Sequence, residues 1–243
     1  VEHESVQGDG MSPREREPVR VSAGAAAAVA PLVEPLFAVP LATTRLADCA
    51  ALNAELESLF LARETEEWRN RAPTHRPQRE LFESAFDVFQ WPEPCIGRLR
   101  AFVLESVGRT VAQLNGLPPE RLARLAIHNH TWFHVTRRGG SFVAHNHPMA
   151  SWSAVYCVRP GERVPERPDS GLLRFFDPRG ATEMYQDVAN ASVAAPYRVG
   201  AVDLRLEAGQ CVVFPSYLAH EVTPFWGADT RITVAANCWF TER

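Results

Sequence analysis

Three histidines and one arginine in the second half of the chain have the types and spacing of a metal-dependent site. His145 and His147 stand two apart in AHNHP, and His220 lies in SYLAHEV. Side chains two apart on a strand point to the same face, so the first two imidazoles can reach one ion. A third imidazole from a distant strand closes a facial site. Three protein ligands leave positions open for small molecules, and imidazole suits Fe(II), Zn, Cu and Ni. An HxH pair alone also arises with one histidine packed and the other exposed. Arg231 weights the reading toward chemistry.

The stretch HEVTPFWGADTRITVAAN predicts a hairpin turning near Gly227 and Ala228, with the final strand antiparallel to the one carrying His220. In that pairing Ala235 lies beside His220 and Arg231 four residues along, roughly 13 Å at about 3.3 Å per residue. Arg231, Thr233, Ala235 and Asn237 alternate onto one face, giving a guanidinium fork, a hydroxyl, a gap and an amide in line. Such a row can anchor the far carboxylate of a short dicarboxylate held at its other end by the metal. A surface arginine on an amphipathic strand is the alternative.

The elements that must position these groups are mainly β. From Arg121 onward, short runs rich in Val, Phe, Tyr, Trp and Leu alternate with turn residues: IHNHTWFHV, SFVAH, SWSAVYCV, GLLRFF, VDLRLEA, QCVVFPS, HEVTPF and RITVAANCWF. About eight such strands predict a jelly roll or closed barrel. Upstream, LFAVPLATTRL reads as an opening strand. Asp48 is placed to cap a helix through ALNAELESLFLARE, with Leu52, Leu56, Leu59 and Leu61 near helical spacing. A second helix is predicted from WPEP through IGRLRAFVLESVGRTVAQLNG, with proline at its start and Gly116 as its stop. Residues 1–30, a charged stretch followed by an alanine run, read as a disordered tail rather than a secretion signal. Residues 31–243 then form one domain, with a strand and supporting helices over 31–120 and most of the barrel over 121–243.

Composition narrows the functions. The 243 residues carry a net charge of −4, which gives no general attraction for nucleic acid. All 25 basic residues are arginine, which removes lysine Schiff-base chemistry. No apolar run approaches the roughly 20 residues of a membrane span. Five scattered cysteines without a CxxC pair argue for free thiols and a cytoplasmic setting.

Taken together, WFHVTRRGGSFVAHNHPMASWSAVYCV, GLLRFFDPR and EAGQCVVFPSYLAHEVTPFWGADTRITVAANCWF resemble the 2-oxoglutarate and Fe(II)-dependent oxygenases, within a bacterial branch marked by HxHP and an RITVAxN ending. The resemblance implies a double-stranded β-helix of the jelly-roll kind. It places Fe(II) on His145 and His220 and the cosubstrate carboxylate on Arg231, helped by Thr233. It implies oxidative decarboxylation of 2-oxoglutarate to succinate and carbon dioxide with hydroxylation of a substrate, a small molecule or a peptide. One position departs from the pattern: the residue two after the first histidine is usually Asp or Glu, and here it is His147. Direct ligation is the preferred reading, because no carboxylate occurs between Ser141 and Arg159; a place outside the ligand set is the alternative. Tyr156 and Asn237 are further candidates for cosubstrate contact, with packing the competing role for the tyrosine. His128, His130 and His134 alternate with Trp132 along one face and read as a partly exposed histidine row, with lining of the pocket by His134 the alternative. Asp177 and Arg179 read as turn residues. The loops RPGERVPERPDSG and DPRGATEMYQDVANASVAAPYRVG are expected at the active-site mouth. Two rival functions are a cupin-type metal enzyme that does not use 2-oxoglutarate and a jelly-roll binding module.

Overall fold

The computed structural model describes residues 32–71, 80–179, 187–188 and 190–243. Contacts divide the chain into Val1–Leu36 and Phe37–Arg243. Of the first unit only residues 32–36 are described, exposed and without a regular element; the tail predicted over 1–30 lies outside the described residues.

The second unit is built on two antiparallel sheets. The strands are β1 (Ala42–Arg45), β2 (Leu81–Glu83), β3 (Leu125–Thr136), β4 (Phe142–His145), β5 (Trp152–Arg159), β6 (Leu173–Phe175), β7 (Val202–Leu204), β8 (Gln210–Pro215), β9 (His220–Val222) and β10 (Arg231–Glu242). The larger sheet runs β1-β8-β5-β10-β3-β2 and the smaller β4-β9-β6-β7. All eight strands predicted after Arg121 form, in the topology of a jelly roll. β2 was not foreseen, because its three residues follow a proline-rich polar stretch.

The larger sheet sorts its side chains by strand alternation. One face presents Phe133, Val135, Tyr156, Val213, Ile232 and Val234 to two helices, α1 (Ala50–Ala62) and α2 (Pro94–Asn115), in one buried cluster. The other face turns Cys157, Val212 and Phe214 toward Leu173 and Phe175 of the smaller sheet. Trp132, His134, Arg231, Thr233, Ala235 and Asn237 are in the same alternating phase as that second face, so the chemistry lies between the sheets.

The helices follow the sequence with two differences. In α1 the buried positions are Leu52, Asn53, Leu56 and Phe60; Phe60, stacked on Phe133 at 4.4 Å between centroids, takes the core place expected of Leu59 and Leu61. Asp48 does not cap α1. It adopts φ 50, and Cys49 occupies the cap without a side-chain bond. The α2 prediction holds from Pro94 to a left-handed Gly116 at φ 60, the conformation glycine adopts without penalty. No described helix is long and apolar enough to cross a membrane.

Candidate metal centre

The second sheet brings the histidines together. β4 pairs with β9 so that His145 and His220 are cross-strand partners, and the main chain beyond β4 is tied to the end of β8 by donation from the His147 amide to the Ser216 carbonyl, 2.8 Å. One ring nitrogen from each of the three lies within 4.8 Å of those of the others. Ring centroids are 4.3 Å apart for His145 and His220, 4.8 Å for His145 and His147, and 5.2 Å for His147 and His220. Nδ1 of His145 lies 2.8 Å from the Val143 carbonyl, and Nδ1 of His220 lies 2.8 Å from that of Leu218. A carbonyl can only accept, so both Nδ1 atoms carry the proton and Nε2 is the atom each ring has to offer an ion. Burial pushes the His220 imidazole below its ordinary pKa, against a smaller upward effect of the Leu218 hydrogen bond. The neutral form that ligates a metal is thereby favoured. This donor set fits a divalent transition metal.

One expectation about Arg231 is overturned. The strand carrying His220 does not pair with the final strand: β9 joins β4 and β6, whereas β10 lies between β3 and β5 in the other sheet. Residues 223–230 cross from one sheet to the other instead of closing a tight hairpin. The histidines and Arg231 therefore face one another across the barrel, and the separation inferred along a single sheet does not apply. Both still line one narrow slot, with Thr233, Ala235 and Asn237 in the predicted row.

Arg231 is 3% exposed, and among the described residues no carboxylate is within ion-pair distance of it. Its one side-chain hydrogen bond among the described residues is a long donation from Nη1 to Thr233 Oγ1, 3.5 Å. Burial lowers its pKa, Cys157 opposes that shift and Arg205 adds to it. Gly171, at φ 64, closes the wall behind it: a Cβ there would stand 3.1 Å from Phe225 and 3.4 Å from Arg231 Cδ. Thr136, in register with Arg231 on β3, has a buried hydroxyl without a partner among the described residues. The sequence reading passed over it because only the pairing of β3 with β10 brings it there.

Tyr156 is a correction. It faces the helices, fully buried, and its hydroxyl donates to Asn53 Oδ1 at 2.7 Å; its neighbours Ser153 and Val155, in the opposite phase, line the slot. Asn237 does line the slot, with Oδ1 accepting from Ser153 Oγ at 2.8 Å, which leaves Nδ2 as its available donor. His128 is exposed and stacks on Trp239. Asp177 accepts from the Arg179 amide as the turn reading requires.

Outside the histidines the slot opens into a cavity of about 410 Å³, walled by Phe86, Trp132, His134, Phe142 and Met149. The two long loops expected at the mouth contribute no described residue to it. Loop 160–171 packs behind Arg231 instead, and described parts of 177–201 line a separate cavity with residues 37–41. Glu83, absent from the sequence reading, lies on the wall of the outer cavity. It accepts from Asn70 Nδ2 at 2.8 Å and from His134 Nε2 at 2.9 Å. Burial raises its pKa, but the hydrogen bond and charge of His134, the Asn70 bond and the charge of His145 outweigh that and hold it below 4.5. A carboxyl lowered on folding contributes stability that is present above the unfolded value and lost as pH falls through the folded one. Metal-free Glu83→Gln should therefore show a flatter dependence of melting temperature on pH below 4.5 than the wild type. Parallel curves in thermal scans would remove this role.

Residues 130–237 match the model of a family described as "Putative 2OG-Fe(II) oxygenase". No curated protein matches the sequence. Among solved structures, a prolyl-4-hydroxylase from Pseudomonas putida is similar at 20% identity and TM-score 0.52, over 84% of this chain and 94% of that one. HygX from Streptomyces hygroscopicus, solved with nickel and 2-oxoglutarate bound, is similar at 10% identity and TM-score 0.51, over 83% of each chain. The epimerase SnoN, in complex with Fe3+, alpha ketoglutarate and nogalamycin RO, is similar at 15% identity and TM-score 0.53, over 84% of this chain and 82% of that one. At such identities the likeness establishes the double-stranded β-helix fold. The matched stretch contains the three clustered histidines and the buried arginine, and over it the chain is similar to the 2OG-Fe(II) oxygenases.

Proposed function

We propose that this oxygenase binds Fe(II) through His145, His147 and His220 and holds the far carboxylate of 2-oxoglutarate with Arg231 and Thr233. The observation that carries the assignment is the buried guanidinium. A cation removed from water without a counter-ion is costly, and Arg231 has none among the described residues. It shares its slot with three imidazoles, so a dianion bridging the two ends would satisfy both. The nickel and 2-oxoglutarate bound to HygX, and the Fe3+ and alpha ketoglutarate bound to SnoN, agree with this reading.

When bound, Fe(II) supplies the redox chemistry that couples decarboxylation of 2-oxoglutarate to succinate and carbon dioxide with oxidation of a substrate. The protein's own residues do the rest. The Val143 and Leu218 carbonyls fix the rings of His145 and His220. The guanidinium fork sets the orientation of the cosubstrate, and Phe214, Leu173 and Val222 keep the slot dry. The substrate enters through the outer cavity; the structures compared include a prolyl hydroxylase and an epimerase bound to nogalamycin RO, so both a peptide and a small molecule suit this fold.

Anaerobic addition of Fe(II) and 2-oxoglutarate to the purified protein is expected to produce the metal-to-ligand charge-transfer absorption of a chelated oxo acid. No band at saturating concentrations of both would overturn the assignment.

A further inference from the structure

The slot and the outer cavity share walls but differ in charge. At the inner end stands Arg231. The described lining of the outer cavity has one carboxylate, Glu83, and no arginine, in a chain that has no lysine. Glu83 is fixed from both sides by Asn70 and His134. The carboxylate only accepts, and donation from both neighbours favours its charged form at the cavity wall. Around it are π faces: Phe86 and Trp132 are 4.8 Å apart at 47°, and Trp132 lies 5.7 Å from His147, between cavity and histidines. The Trp132 indole is 5% exposed, and its N–H has no acceptor among the described residues. Phe86, at 38%, and Met149, at 87%, leave apolar surface at the rim.

A largely buried carboxylate beside aromatic faces selects cations by charge and by the ring quadrupole. Resting on the oxygenase reading above, we propose that the outer cavity binds a substrate with a positively charged nitrogen on an apolar body, Glu83 being its counter-charge and Trp132 and Phe86 its walls. The opposed charges also sort the two ligands, with the dianionic cosubstrate drawn inward to Arg231 and the amine held outside the metal.

Calorimetric titration of the metal-free protein tests this with three probes of similar size, phenethylamine, phenethyl alcohol and hydrocinnamate. The amine is expected to bind about tenfold more tightly than the alcohol, with the carboxylate weakest. Glu83→Gln should abolish the preference, and Trp132→Leu should weaken amine and alcohol alike. N-acetyl-phenylalanyl-lysine amide separates the two sources of the cation: tighter binding than phenethylamine assigns a basic peptide, weaker binding a free amine. No amine binding, equal binding of amine and alcohol, or a preference that survives Glu83→Gln would overturn the proposal. So would a Glu83→Gln variant that lost Fe(II) affinity with selectivity intact, since the carboxylate would then serve the metal. Because these titrations need no metal, a missing charge-transfer band would count against the oxygenase reading alone.

Discussion

Arg231→Leu is expected to lose 2-oxoglutarate while gaining or keeping thermal stability. Removing one partner of a buried charge pair costs about 2–5 kcal/mol of binding, or roughly 30- to 5000-fold in affinity. In the protein without cosubstrate, however, Arg231 is 3% exposed and has no ion-pair partner among the described residues, and its burial is a standing cost that leucine lacks. The two effects separate in one set of thermal scans. Saturating 2-oxoglutarate at a hundredfold excess over Kd stabilises the wild type by about 2.7 kcal/mol, on the order of 5–10 °C for a domain of this size. The variant should start at the same melting temperature or higher and show no ligand-induced shift, while Fe(II) binding persists. A wild-type shift that survives in Arg231→Leu would mean that the carboxylate is held elsewhere, with Arg205 the next candidate, since its charge already acts on Arg231.

The alternation of types along β10 was enough to put Arg231, Thr233 and Asn237 on one face, because a strand has only two faces and one is packed on helices. The same rule should have excluded Tyr156. Its phase matches Ala154 and Val158, which face α1 and α2, but the face of an isolated run cannot be fixed until its neighbours are known. Pairing was the part that could not be read. Two strands close in sequence with turn residues between them suggest a hairpin, yet the short β9 completes the smaller sheet and the chain crosses the barrel before β10 begins. That crossing makes the active site a gap between two sheets. Glu83 and Thr136 stayed hidden for the same reason: each enters through a pairing of distant segments, β2 with β3 and β3 with β10, and neither residue type stands out in its local sequence.

His147 tests how far a three-imidazole centre can replace one with a carboxylate. A carboxylate ligand offsets one metal charge and an imidazole does not, so the metal held here would be the more electron-poor. The structure fits direct ligation in two respects: a His147 ring nitrogen lies within the 4.8 Å cluster, and its main chain is held to Ser216, which fixes where the ring can reach. Groups outside the ligand set cost about 10–100-fold in metal affinity when removed, so a ligand should cost more. His147→Ala is therefore expected to weaken Fe(II) binding by more than about 100-fold in competition against a chelator. His147→Asp should recover most of that loss and move the charge-transfer band to a different energy, because the added negative charge raises the metal's electron density. Thermal scans of both metal-free variants separate loss of metal from loss of fold. If His147→Ala kept wild-type affinity and band position, the metal would rest on His145 and His220 alone among the imidazoles, and Glu83, whose carboxyl already feels the charge of His145, would become the carboxylate to test next.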